Sequence, residues 1–306
     1  MHTRSLRAGE NAPTRRPGDS LLRGLFFVAG LFAACVLFGV SAFAEEPSLS
    51  ELIADARSAF EERFAQERMF EAIAAYESIL AQLDPSRTQS ASFVLDRLAQ
   101  LCYEATTFSP GNTEEDRALF ERGKAYGLRS LRLNPEFAQN EDDDFAAAVA
   151  HATDPAALLW TADNWGALCG MNPIEGLLQF GKVRTLYERC LAVDESYWGA
   201  SAHNALGAML VVTPGPFGGD PEAGIAHLET AVALAPDYLL NRVVRAQYWG
   251  FSFDFFGRID GVRDAAFISS ELCAVLDAPV GDWPFWNREA HREAEILLRK
   301  LEELTP

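Results

Sequence analysis

Four histidines lie beyond residue 44, His151, His203, His227 and His291, and they are far apart in the chain. None belongs to an HExxH or to another spacing that builds a metal site. No GxSxG is present, so a nucleophile elbow has no support. Gly215-x-x-Gly218-Gly219 has the glycine density of a phosphate loop, but no strand precedes it and no lysine follows. It reads as a turn, with Asp220 capping the next helix and Pro221 at its first position. Glu141-Asp142-Asp143-Asp144 lacks the alternating ligands, sharp-turn glycine and distal glutamate of a calcium loop. It reads as the acidic, capped start of a helix from Phe145. Cys102, Cys169, Cys190 and Cys273 form no CxxC pair and read as small apolar core residues. Cys169 with Cys190 is the best pairing for a disulfide, should one form. His203 and Asn204 sit on a helix among aromatic residues, where a lone histidine is more often a hydrogen-bonded core residue than a ligand. No catalytic set, metal or cofactor is expected.

The elements that hold these residues read as helices from Leu49 onward. Leu52, Ile53, Ala56, Ala59, Phe60 and Phe64 recur with a 3.6-residue period. Leu83-Asp84-Pro85, Leu133-Asn134-Pro135, Val193-Asp194-Glu195 and Leu234-Ala235-Pro236 each close an amphipathic stretch. A tetratricopeptide repeat also places a proline after its second helix, with a period of about 34 residues. The stops here are wider and uneven. They predict degenerate TPR-like helix pairs with insertions, in one all-α solenoid or bundle over residues 45–306. No strand is expected. Val243, Val244, Gln247, Tyr248, Phe251 and Phe255 are read as one helical stripe, and Ala246, Trp249, Phe253 and Phe256 as another. The helix from Ala156 to Gly170 is likewise apolar on more than one side. Such helices belong inside a layered bundle or around an apolar cavity.

Residues 1–44 read as a secretory signal peptide. Arg4, Arg7, Arg15, Arg16 and Arg23 make a basic start, Leu25 to Val40 an apolar run, and Ser41-Ala42-Phe43-Ala44 a cleavage site. Lipidation at Cys35 is the weaker reading, because Phe32 fits a lipobox poorly. An uncleaved anchor and a twin-arginine signal are further alternatives. Each places the folded part outside the cytoplasm. The net charge of −18 argues against nucleic acid or an anionic lipid surface as partner.

Several segments, in order, resemble the TatT component family of TRAP transporters (tripartite ATP-independent periplasmic transporters). They are Leu158-Leu159-Trp160 to Asn164-Trp165-Gly166, Tyr187-Glu188-Arg189-Cys190-Leu191, and Tyr197 through His203 to Leu206-Gly207. Gly218-Gly219-Asp220 with Ala223, His227-Leu228 and Ala231 follows, then Ala246-Gln247-Tyr248, Asn287-Arg288 and Leu297-Leu298. The resemblance covers roughly residues 50–304. It implies a periplasmic, all-helical, non-enzymatic protein that handles a small hydrophobic or amphipathic ligand beside a solute-binding P protein. It also implies a homotrimer with an apolar cavity in each protomer, as in a lipoprotein member of the family. Under that resemblance the candidate cavity walls are Trp160, Asn164, Trp165, Tyr197, Trp198, His203, Tyr248 and Trp249. The alternative reading is an envelope TPR scaffold that binds a protein or peptide in its groove.

Overall fold

An asparagine or aspartate followed by proline opens four of the helices. Asn134-Pro135, Asp154-Pro155, Asn172-Pro173 and Asp220-Pro221 each place proline in the first turn, where its missing N–H costs nothing. The preceding side chain accepts from the first free backbone amides, as Asp220 does from Ala223 N at 3.1 Å. The proline after Leu133 therefore begins a helix. Asp144 caps the helix from Phe145, and its neighbour Glu141 pairs with Arg132 at 2.6 Å. The acidic run is thus a helix start.

A computed structural model describes residues 47–111 and 113–305. The proposed signal peptide, its cleavage site and Cys35 lie outside the described residues. Thirteen α-helices carry most of the described chain. They are α1 (Leu49–Glu61), α2 (Gln66–Gln82), α3 (Thr88–Ala105), α4 (Glu114–Leu131), α5 (Pro135–Asn140) and α6 (Phe145–Ala150). Then come α7 (Pro155–Met171), α8 (Pro173–Val193), α9 (Tyr197–Val212), α10 (Pro221–Leu234) and α11 (Leu240–Gly250), with α12 (Ala265–Asp277) and α13 (Trp286–Leu304) at the end. Neighbours in sequence pack as pairs: α1 with α2, α3 with α4, α7 with α8, α9 with α10, and α12 with α13. α7 also packs against α3 and α4, which makes it the centre of the stack. The all-α expectation holds. No described helix is long and apolar enough to cross a membrane.

One expectation is overturned. The stripes drawn through Phe251, Phe253, Phe255 and Phe256 do not continue a helix, because α11 stops at Gly250. Strands β1 (Phe251–Phe253) and β2 (Ile259–Val262) form an antiparallel hairpin instead. Asp254 makes the turn. Its Oδ1 accepts from Phe256 N at 2.8 Å and from Arg258 N at 3.0 Å, and Gly257 supplies a φ of 75°. The next helix accordingly starts only at Ala265, capped by Asp264.

The main core joins α1–α9 to Phe285 and Trp286. A smaller C-terminal core, with Leu239, Val243, Phe251, Ile268, Leu272 and Leu297, packs α11–α13 under the hairpin. Glu104 ties α3 to the rest and is fully buried. It accepts from Arg63 Nε at 2.6 Å, Gln100 Nε2 at 2.7 Å and Trp286 Nε1 at 3.0 Å. The four cysteines are free thiols, and Cys190 Sγ donates to the Pro155 carbonyl at 3.5 Å.

Candidate functional site

Small residues on α7 and α9 keep a space open between them. On α7, Asp163, Gly166, Ala167 and Gly170 follow one another at helical spacing; on α9, Ala205, Ala208, Met209 and Val212 do the same. Together with Phe180, Val183 and Tyr187 of α8 they line a cavity of ≈ 370 Å³. Phe255 and Phe256, from the tip of the hairpin, stand at this cavity with Ile174. All three are more than half exposed, as is Leu178 one turn along α8. A second cavity of ≈ 210 Å³ has Trp160, Ser201, Asn204, Tyr238, Gln247 and Trp286 in its wall. Tyr103, Asp163, Ala205, Ala208 and Tyr248 border both, so the two spaces abut across that ring. An apolar wall with a few convergent polar groups is the general character of small-molecule sites.

Asp163 is the one carboxylate in this ring. Its Oδ1 accepts from the Tyr187 hydroxyl at 2.8 Å. Burial pushes its carboxyl up to about 7, and the tyrosine hydrogen bond offsets part of that rise. Burial, reinforced by the Asp163 charge, drives the Tyr187 phenol far above its usual range, so it remains a neutral donor. The sign of the pH effect follows. An unfolded aspartate releases its proton near pH 4, whereas folded Asp163 holds it to about pH 7. The unfolded state therefore binds fewer protons between those values, and stability falls as pH rises through that window. Asp163→Asn keeps an acceptor for Tyr187 and has no charge to bury. The variant is expected to gain in melting temperature over the wild type progressively from pH 4 to pH 8, read by thermal unfolding across that range.

Behind the inner cavity the chain makes a left-handed turn. Trp198, Gly199 and Ala200 have φ values of 50°, 67° and 60°. For tryptophan and alanine this conformation costs about 1–2 kcal/mol each. Polar contacts hold it in place. Asn241 Nδ2 donates to the Gly199 carbonyl at 3.0 Å, and Ser201 Oγ donates to the Trp198 carbonyl at 2.6 Å. A side chain at Gly199 would meet the Tyr238 ring 2.6 Å away, so the site requires glycine for space as well as for φ. The turn sets Trp198 edge-on between Trp160 and Trp283, with ring centroids 5.4 and 5.6 Å apart.

The residues expected to wall a cavity separate into groups. Trp160 and Tyr248 stand in the wall, and Tyr248 stacks on Phe253 at 5.2 Å. Tyr197 borders a different cavity between α3 and α7. Trp198 supports Trp160 from behind. Asn164 is fully buried and donates to the Ala99 and Trp160 carbonyls at 2.9 and 2.7 Å. Trp165 is on the far side of α7, beneath the Lys124 ammonium at 3.8 Å and against Phe145. Trp249 packs on Phe267 at 4.7 Å. His203 and His227 share a hydrogen bond between their Nδ1 atoms at 2.8 Å. Burial lowers both, and His227 further lowers His203, so the pair is held neutral. Among the described residues, no group of three His, Cys, Asp or Glu side chains is placed to hold a metal.

Paired helices hollowed around one acid, with the apolar hairpin at the cavity mouth, make a helical protein built around a partly open apolar pocket. A family model described as the TRAP transporter T-component matches residues 89–304, and the chain belongs to that family. No curated protein matches the chain. Asp163, Tyr187, Tyr103 and Ala208 escaped the sequence reading because it sought aromatic stripes. The available signal was the run of small residues about one helical acid.

Proposed function

We propose that this chain acts in the periplasm as a non-enzymatic component of a TRAP system, holding a small apolar or amphipathic ligand beside a solute-binding P protein. The abutting cavities that meet at Asp163 carry this reading. Their combined wall suits a hydrocarbon stem lying along Phe180, Val183 and Met209. A polar head would sit at Asp163, Tyr187 and Gln247, with Trp160 and Tyr248 as flanking walls. The other aromatic candidates, Trp198 above all, act by fixing those walls. The exposed apolar rim at Ile174, Leu178, Phe255 and Phe256 suits a surface covered by the P protein or by a second copy in a homotrimer. The helix pairs are read as degenerate TPR-like units, and secretion is read from the amino-terminal 44 residues.

The test is native mass spectrometry of the full chain, with organic extraction of whatever copurifies. Wild type is expected to carry a small apolar or amphipathic molecule. Ala208→Phe, which fills the junction of the two cavities, is expected to lose it while retaining its melting temperature. An empty wild-type protein, or equal ligand in the variant, defeats the reading.

A further inference from the structure

A larger cavity of ≈ 730 Å³ lies between α3, the end of α4 and the starts of α7 and α9. Its wall mixes apolar rings with hydroxyl and charged groups. Ser92, Asp96 and Arg97 come from α3, Asp154 from the cap of α7, and Trp160 and Tyr197 complete the wall.

The acid pair in this wall has few side-chain donors, the hydroxyls of Ser92 and Ser130. Asp154 Oδ1 accepts from Ala156 N at 2.9 Å as the helix cap. Asp154 Oδ2 and Asp96 Oδ2 each lie 3.3 Å from the same Ser92 hydroxyl, which has one proton to give. Ser92 Oγ is also 3.0 Å from Ser130 Oγ. The other Asp96 oxygen, Oδ1, is enclosed and has no hydrogen-bond partner among the described residues. Asp96 as a whole is 6% exposed. The arginine of this wall does not neutralise the pair. Its guanidinium lies over Phe60 at 3.9 Å and Phe93 at 5.3 Å, and it donates to Gln100.

A buried carboxylate, Asp96, set beside the partly exposed Asp154 without a cation is costly unless something supplies positive charge and donors. A proton is one answer: burial, with the Asp154 charge second, pushes Asp96 up to about 8. An ammonium group answers more fully, because it brings a full charge and three N–H donors. Rotation about the soft χ2 of aspartate turns the unpartnered oxygen toward such a group. The rings of Trp160 and Tyr197 in the same wall favour a cation and its carbon stem.

We propose that this cavity binds a small primary amine, with its ammonium between Asp96 and Asp154 and its stem along Trp160 and Tyr197. The site stands apart from the apolar cavities, sharing only Trp160 with them, so it neither needs nor tests the ligand reading above. Two sources share this chemistry, diamines and amino acids. Arg97 offers the second kind a carboxylate partner, since its Nε has no hydrogen bond among the described residues.

The experiment is titration calorimetry and thermal unfolding of the full chain with putrescine, alanine and tetramethylammonium. Saturable binding of putrescine or alanine is expected, with a rise in melting temperature, and tetramethylammonium, which has no N–H, is expected to give neither. Putrescine alone identifies a diamine site; alanine alone, or alanine the tighter, identifies an amino-acid site using Arg97. Asp96→Asn and Asp154→Asn, the second of which preserves the helix cap, are each expected to weaken binding at least tenfold. Absence of binding by both amines at millimolar concentration overturns the proposal. So does binding that both variants keep, or that tetramethylammonium matches.

Discussion

Glu104→Ala is expected to lower the unfolding free energy by about 3–5 kcal/mol, the range for removing one partner of a buried ion pair. The carboxylate has no solvent exposure, and the Arg63 side chain is 9% exposed. The guanidinium lies over Phe60 at 3.9 Å, so it cannot turn outward without losing that contact. Truncation would also orphan the Gln100 amide and the Trp286 indole N–H, each of which now donates to Glu104. The effect reaches far along the chain because Glu104 joins α3 to Arg63, beyond the end of α1, and to the first residue of α13. Glu104→Gln preserves the shape and one acceptor, and is expected to fall between the wild type and the alanine variant. Urea unfolding of the three proteins checks the order. Equal midpoints would show that the network contributes nothing net.

Much of this helical frame was open to reading from local chemistry. Asp144 and Asp220 are caps because a short acceptor there satisfies free amides, and neither role depends on distant residues. The hairpin was hidden by its own composition. Phe251, Phe253, Phe255 and Phe256 satisfy a period of two or of 3.6 equally well over so few residues. Asp254 followed by Gly257 was the local signal that the run turns back. The left-handed turn was beyond such reading, because tryptophan and alanine ordinarily avoid positive φ. It is imposed from a distance, by Asn241 and by the rings packed against Trp198.

The cavity shows why aromatic content was a partial guide. Large rings fill space, and small residues leave it. Asn164 and Trp165 are the two residues after Asp163, yet a helix turns about 100° per residue, which directs them into the packing against α3, α4 and α6. Asp163, Gly166, Ala167 and Gly170 share the remaining face. The cavity between α3 and α7 depends on a contact still less visible in sequence, since Asp96 and Asp154 belong to different helices 58 positions apart and come together beside Ser92.

Trp160 is where the two kinds of cavity come together, so Trp160→Ala carries both a structural and a functional expectation. The side chain is 2% exposed and packs edge-on to Trp198. Truncating a buried tryptophan costs about 3–5 kcal/mol, because the space it leaves is only partly refilled. Here collapse is further restricted, since the left-handed turn fixes Trp198 and α7 is braced by Asn164 through the Ala99 carbonyl. The vacated volume therefore links the inner cavity to the one that holds Asp96 and Asp154, across the position of the indole. In the wild type, an apolar fluorescent probe and a small amine are expected to bind without affecting each other. In Trp160→Ala the two are expected to compete, with a lower unfolding midpoint. Trp160→Phe keeps most of the partition and serves as the stable control, in which independence is expected to persist. Competition already present in the wild type would mean that the indole does not separate the two spaces.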